Sequence, residues 1–110
     1  MRQIPKKALP LTAQVRVPDP ESDRGGAFLE AVEIAHVRYE QTHSIRRTDY
    51  QLADGTTGLL FVDAANSAGA FEVPAGAKVS VDGGGTWMTV NASHRFETFD
   101  RVHHWELELR

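Results

Sequence analysis

Histidines are the residues of this chain best suited to metal or acid–base chemistry. Three of the five are far apart in the sequence: His36, His43 and His94. His103 and His104 are adjacent, with Glu106 close by, but neighbouring residues of a strand point to opposite faces. We therefore do not expect these two histidines to bind one ion together. Since no H-E-x-x-H or related spacing occurs, the sequence predicts half-buried or surface histidines, with no metal site and no cofactor.

Catalytic carboxylates or nucleophiles are not indicated either. The acidic residues that could face one another in a cleft also stand where turns and strand ends favour them: Asp49, Asp54, Asp63 and Glu72. The serines lack a nucleophile-elbow sequence. Gly83–Gly85 is followed by neither the lysine nor the helix of a phosphate-binding loop. The sequence predicts no catalytic residue and a protein that is not an enzyme.

One local cluster of positive charge lies in the middle of the chain, at Arg46 and Arg47, with Arg38 and His43 nearby. It is explained either as a solvated strand face or as a patch that faces DNA phosphate or an acidic partner. No aromatic residues alternate with it, which argues against base stacking on single strands. The net charge of −3 also argues against a dedicated nucleic-acid binder.

The elements that must position these residues are predicted to be short β-strands. In Val73–Val90, Val79 and Val81 alternate with polar residues, and Asp82 with three glycines allows a tight turn, so this stretch predicts a β-hairpin. Four further segments have strand patterns: Leu11–Val17, Val32–Glu40 with a bulge at its change of parity, the polar Ile45–Leu52, and the apolar run Gly58–Val62.

The last segment, His103–Arg110, alternates strictly and is predicted to close the sheet. Its apolar residues are expected to face the core: Trp105, Leu107 and Leu109. Its polar residues are expected to face solvent: His104, Glu106, Glu108 and Arg110.

Six or seven short strands in 110 residues predict an all-β fold with at most one short helix, closed into a small antiparallel β-barrel of six to seven strands with long loops. Residues 1–10, with Pro5 and Pro10, are predicted to form an extended N-terminal arm, and residues 11–110 a single barrel domain. No cysteine, no bilayer-length apolar run and no secretory segment at the start are found, so a cytoplasmic protein without membrane contact is expected.

Several short pieces, in order and spacing, resemble the small minor capsid proteins encoded by tailed phages and prophages of Gram-positive bacteria. The pieces are IPKKAL at 4–9, HVRYE at 36–40, LLFVDAANS at 59–67, the F-x-V…G-x-K-V…G…W-x-x-V series over 71–90, and HHWELEL at 103–109. The chain departs from that family in the Ala-rich stretch 64–70, where bulkier or charged residues are expected.

The resemblance implies a virion protein, assembled in the bacterial host cytoplasm, of the head-completion or stopper kind. Such a protein forms a ring at the portal–tail junction and helps to retain packaged double-stranded DNA. The implied partners are further copies of the chain, the portal or adaptor, tail-side proteins and the packaged DNA. By its position between strands, the loop Gln41–Thr57 would face the channel or a partner with Arg46, Arg47 and Asp49. The arm would contact a neighbouring subunit through Arg2, Lys6 and Lys7.

A stand-alone β-barrel that binds a peptide or carbohydrate, without enzymatic activity, is the alternative. Such a module needs an exposed aromatic platform. Trp87 is the candidate, because Met88 and Val90 have the opposite parity and are expected to face the core.

Overall fold

The computed structural model of the chain describes residues 4–21, 26–42 and 50–110. These residues form a closed antiparallel barrel, in which the strand order is β1-β2-β3-β6-β5-β4 and β4 pairs with β1. The six strands are β1 (Leu11–Arg16), β2 (Val32–Gln41), β3 (Gly58–Asp63), β4 (Lys78–Ser80), β5 (Met88–Thr98) and β6 (Arg101–Leu109). The predicted all-β barrel is confirmed.

Side chains from all six strands fill the barrel interior. The buried core comprises Ala13, Val15, Ile34, Val37, Leu60, Val62, Val79, Val90, Trp105, Leu107 and Leu109, together with Val73 and Ala77 from the segment before β4. Since the strands alternate, one apolar residue in two is enough to fill this interior. β3 differs because its outward-facing Leu59 is also fully buried, as its continuous apolar sequence predicted.

β1 and β2 pair around the β-bulge that the parity change in β2 predicts. The register shifts between Leu11 and Thr12 of β1, which leaves His36 as the extra residue of β2. The φ of His36 is 59°, in the left-handed region that histidine enters more readily than most side chains. The bulge allows both Ile34 and Val37 to point into the core, where both are fully buried.

The hairpin between β4 and β5 is confirmed, but its paired part is shorter than predicted. Towards the turn, the ladder ends at residues 79 and 88. Beyond them, Asp82 accepts a hydrogen bond from the Thr86 amide, and the Ser80 hydroxyl accepts one from the Gly84 amide. These side chains take backbone amides that a longer ladder would have used, so a wide loop replaces it.

The described part of the N-terminal arm packs against the barrel. Lys6–Ala8 form one turn of 3₁₀ helix, which interrupts the extended conformation predicted for residues 1–10. Pro5 precedes this turn with a φ of −65°, a value suited to the start of a helical turn. Leu9 is fully buried, and the Ile4 amide donates to Asp63 at 3.0 Å. Residues 4–9 are therefore docked on the end of β3.

Candidate functional site

The outer face of β5 and β6 carries a cluster of titratable side chains that we call the polar cluster. Its members are Tyr50, His94, His103, His104, Glu106 and Glu108. The prediction that His104, Glu106 and Glu108 face solvent is wrong, since Glu108 is 1% exposed and His104 is 9% exposed. The segment 50–57 lies over this face and hydrogen-bonds to it.

Glu108 is the most deeply buried acid of the polar cluster. Its carboxylate accepts hydrogen bonds from the Ala53 amide and the Thr56 hydroxyl, each at 2.8 Å, and from Nε2 of His94 at 2.5 Å. Burial raises the pKa of Glu108, but the three hydrogen bonds outweigh it, so the pKa lies below its usual value of 4.5. Glu108 is therefore a charged acceptor that ties the segment 50–57 to β6.

Glu106 performs the same task for Tyr50. It accepts hydrogen bonds from the Tyr50 hydroxyl and from Nε2 of His104, each at 2.8 Å. Burial raises the pKa of Glu106, and the hydrogen bonds from His104 and Tyr50 lower it by more, so it too lies below 4.5. Both acids of the polar cluster are thus favoured in their charged forms.

His103 and His104 contact each other, although adjacent residues of a regular strand point to opposite faces. The register shifts between Phe96 and Glu97, which leaves His103 as an extra residue of β6 and turns its side chain. The two Nδ1 atoms lie 2.7 Å apart. Nε2 of His104 contacts the Glu106 carboxylate, so both ring nitrogens of His104 have a hydrogen-bonding partner.

Aromatic rings cover one face of two imidazoles in the polar cluster. Tyr50 stacks on His94 with ring centroids 3.7 Å apart, and Phe96 stacks on His104 at 4.6 Å with nearly parallel planes. Within residues 4–21, 26–42 and 50–110, no group of three or more His, Cys, Asp and Glu side chains is arranged to hold a metal ion. The contacts observed in the polar cluster are those of a clamp that holds a segment in place.

The clamped segment is the C-terminal leg of the predicted partner-facing loop, Gln41–Thr57. At the base of that loop the Thr42 amide donates to the Thr57 carbonyl at 2.9 Å, and the Thr57 amide donates to Leu109 at 2.7 Å. Both ends of the loop are therefore fixed beside β6. Arg46, Arg47 and Asp49 lie outside the described residues, as does most of the strand predicted over Ile45–Leu52; residues 50–52 are not in a strand.

Of the basic residues of the arm that are predicted to contact a neighbouring subunit, two lie among the described residues and one does not. Lys6 and Lys7 lie in the 3₁₀ turn with exposed side chains, while Leu9 anchors the segment in the barrel. Arg2 lies outside the described residues. The two lysines are thus held at fixed positions on the surface, where a partner can reach them.

A second surface, which we call the apolar groove, was not predicted from the sequence. Its walls are formed by Val15, Val17, Leu29, Val32 and Phe71, and its volume is about 430 Å³. Leu29 and Val32 are each 47% exposed. Two of these residues, Leu29 and Val32, belong to the stretch AFLEAVEIA at residues 27–35, where the strand prediction for Val32–Glu40 did not identify an exposed apolar surface.

Acidic side chains stand at the rim of the apolar groove. Glu30 and Glu33 line it and are exposed. Glu33 accepts a hydrogen bond from the neutral side chain of Gln14 at 3.0 Å, which leaves its charge uncompensated by that contact. The apolar groove therefore combines hydrophobic walls with negative charge at its edge.

Two aromatic side chains protrude from loops. Phe99, in the turn between β5 and β6, is fully exposed and has a φ of 55°. Trp87 is 39% exposed, and the adjacent strand residue Ser80 is fully buried, so Ser80 adds no exposed surface beside it. The platform of a peptide- or carbohydrate-binding module is therefore only partly present.

Comparison with protein-family models, with curated proteins and with solved structures found no match to this chain. No helix among the described residues has the length and apolarity needed to cross a membrane.

Proposed function

We propose that this chain is a structural protein of a tailed-phage or prophage virion, a minor capsid or head–tail connector protein of the stopper kind. In this proposal it assembles as a ring at the portal–tail junction, with the portal or adaptor on one side and tail proteins on the other. The ring helps to retain packaged DNA. The resemblance of the five sequence pieces between residues 4 and 109 to phage minor capsid proteins supports this function. The structural observation that carries it is that both ends of the loop Gln41–Thr57 are held beside β6.

A protein that retains DNA under pressure needs a loop held from a rigid base. The closed barrel supplies the base, because closure removes sheet edges and the core is filled from every strand. The polar cluster fixes the C-terminal leg of the loop through Glu106 and Glu108. Arg46 and Arg47 lie between these two ends in the sequence, and in this proposal they contact DNA phosphate.

The charge distribution supports transient contact with DNA rather than tight binding. The net charge is −3, so the whole surface does not attract the duplex. Two adjacent arginines in one loop supply a local attraction that is repeated in every copy of a ring. A ring of such subunits can hold the DNA end without binding along its length.

The test is a comparison of particles carrying the wild-type chain with particles carrying the double variant Arg46→Ala/Arg47→Ala. We expect quantitative mass spectrometry of purified particles to find both chains in the same ring-sized copy number. Particles of the variant should release DNA earlier on mild heating, measured by dye accessibility. Arg95→Ala is the matched control, because Arg95 lies on β5, outside the loop, and forms ion pairs with Glu72 and Glu97.

Absence of the wild-type chain from purified particles would contradict the proposal. In that case a non-enzymatic binding module for a peptide or carbohydrate becomes the better explanation, since Trp87 is partly exposed at a loop. The wild-type chain, Trp87→Ala and Phe99→Ala would be compared on an array of peptides and carbohydrates. Loss of binding in Trp87→Ala, with binding kept in Phe99→Ala, would support that second function.

A further inference from the structure

We infer that the segment 50–56 is a pH-sensitive strap, which lies on the outer face of β5 and β6 at neutral pH and leaves that face in acid while the barrel stays folded. We call this segment the strap. It is a property of the single chain and is independent of the proposed assembly. The groups that attach the strap differ chemically from those that hold the barrel together, and this difference allows release without unfolding.

Two carboxylates hold the strap. Glu106 accepts a hydrogen bond from the Tyr50 hydroxyl at 2.8 Å, and Glu108 accepts two more, from the Ala53 amide and the Thr56 hydroxyl, each at 2.8 Å. A carboxylate only accepts hydrogen bonds, whereas a protonated carboxyl group also has to donate one. Hydrogen bonds to a charged acceptor are also about twice as strong as those to a neutral one. Protonation of the two acids therefore weakens three attachments of the strap together.

Imidazoles on the same face add to the effect of acid. Nε2 of His94 lies 2.5 Å from Glu108, and Nε2 of His104 lies 2.8 Å from Glu106. Once these acids are neutral, protonated imidazoles face them without counter-charges. His103 adds a third ring, and its Nδ1 lies 2.7 Å from Nδ1 of His104. Two protonated rings both carry a proton at Nδ1 and cannot keep this contact, so acid opposes closure of the strap from both strands.

A further carboxylate beside the polar cluster belongs to Asp63 of β3, which pairs with His104 in the register. Asp63 is fully buried and accepts hydrogen bonds from the backbone amides of Ile4, Ala65 and Asn66. Its partners are thus the N-terminal arm and the turn after β3. The titration that releases the strap is that of the acids on β6.

The barrel itself is held together by groups that acid does not change. Its strands are joined by backbone hydrogen bonds, and its core is apolar. The strap is followed by Thr57, whose amide donates to the Leu109 carbonyl at 2.7 Å, and this bond is independent of pH as well. The side chain of Asn91 donates to the Thr56 hydroxyl at 3.4 Å, a distance too long for a strong hydrogen bond. Acid therefore removes the main attachments of the strap and leaves the barrel and the anchor at Thr57 in place.

The direction of the effect follows from the charged state of the two acids beneath the strap. Burial raises the pKa values of Glu106 and Glu108, and their hydrogen bonds lower them by more, so both lie below 4.5. A strap that has left the face removes these hydrogen bonds, so the open form binds protons more readily. The strap is therefore closed above about pH 5 and opens as the pH falls through the lowered pKa values.

Amide hydrogen exchange of the full chain, followed by NMR from about pH 7 to about pH 3, tests the inference. Protection factors are corrected for the intrinsic pH dependence of exchange. We expect the Ala53 amide, which donates to Glu108, to lose about tenfold or more of its protection between about pH 5 and about pH 3. The hydrogen-bonded amides of β3 should keep their protection over the same range.

Variants separate titration of the two acids from a general effect of acid. In Glu106→Gln/Glu108→Gln, protection at Ala53 should no longer change with pH over that range. Glu97→Gln, an exposed acid on β5, is the matched control and should behave as the wild type does. Tyr50→Phe replaces the double variant if that chain does not fold. It keeps an aromatic ring beside His94 and removes one hydrogen bond that holds Glu106 charged, so opening should begin at a higher pH.

Equal loss of protection at Ala53 and in β3 would mean that acid unfolds the whole barrel, and it would overturn the inference. Unchanged protection at Ala53 throughout the range would overturn it too, as would the same pH dependence in the double variant. In Tyr50→Phe, opening at an unchanged pH would have that meaning. None of these results bears on the particle tests of the proposed function, which measure incorporation and DNA release.

Discussion

The two faces of β6 differ in what buries them. On the inner face, Leu107 and Leu109 are buried by the neighbouring strands of the barrel. On the outer face, Glu108 is buried just as completely, but by the segment 50–57, and its carboxylate is satisfied by three hydrogen bonds. The inner face contributes to the barrel core, and the outer face holds the segment 50–57 against the barrel.

This difference shows that burial by itself does not identify a core residue. An apolar side chain gains stability from burial directly, whereas a buried carboxylate needs its partners in place. The inner face of β6 should therefore be sensitive to loss of side-chain volume, and the outer face to loss of charge. Three predictions test this contrast, and a fourth concerns the turn that precedes β6.

Truncation on the inner face should have the largest effect. Leu107→Ala should lower the free energy of unfolding by about 2–5 kcal/mol, because Leu107 is fully buried and its removal leaves a cavity in the barrel. Urea denaturation followed by tryptophan fluorescence measures the change. Leu29→Ala is the control, and it should cost under about 1 kcal/mol because Leu29 is 47% exposed. Equal losses would contradict the assignment of the core.

Removal of charge on the outer face should come next. Glu108→Gln keeps the shape of the side chain but gives up a charged acceptor, so we expect a loss of about 1–3 kcal/mol in the same assay. Glu97→Gln, on the exposed end of β5, should change the free energy of unfolding by under about 0.5 kcal/mol. If the two variants are equally stable, the polar cluster does not clamp the loop.

The same acids should make stability depend on pH. The pKa values of Glu106 and Glu108 are lower in the folded chain than their usual 4.5, so the unfolded state binds more protons below that pH. Their contribution is complete above about pH 5 and is lost as the pH falls through the lowered pKa values. Thermal unfolding from pH 7 to pH 3 should show a flatter profile for Glu106→Gln/Glu108→Gln, whereas Glu97→Gln should follow the wild type.

Relief of strain at Phe99 should have the smallest effect. Phe99→Gly should raise the free energy of unfolding of the isolated chain, by up to about 1 kcal/mol, since glycine accepts a φ of 55° without penalty. Trp87→Gly is the control; its φ is not positive, and it should be neutral or destabilising. A destabilised Phe99→Gly would mean that the exposed aromatic ring contributes to the stability of the barrel.

Most of the barrel could be predicted because its signals are local. Alternation predicted which residues of β6 face the core. The parity change in β2 predicted a bulge, which lies at His36, and the apolar run over Gly58–Val62 predicted strand β3. Gly83 and Gly84, both with positive φ, gave the turn of the β4–β5 hairpin.

The candidate sites could not be predicted in the same way, because they depend on contacts between distant parts of the chain. The burial of Glu108 is caused by Ala53 and Thr56, more than fifty residues away. The approach of His103 to His104 depends on a register shift that alternation does not reveal. Neither contact is predicted by a local sequence pattern.

The proposed virion function is tested most directly by electron microscopy of particles from the phage or lysogen that carries this gene, with a stop codon introduced in it. We expect heads that have lost DNA, together with unattached tails, and rescue by the wild-type chain supplied in trans. Complete and infectious particles would contradict it.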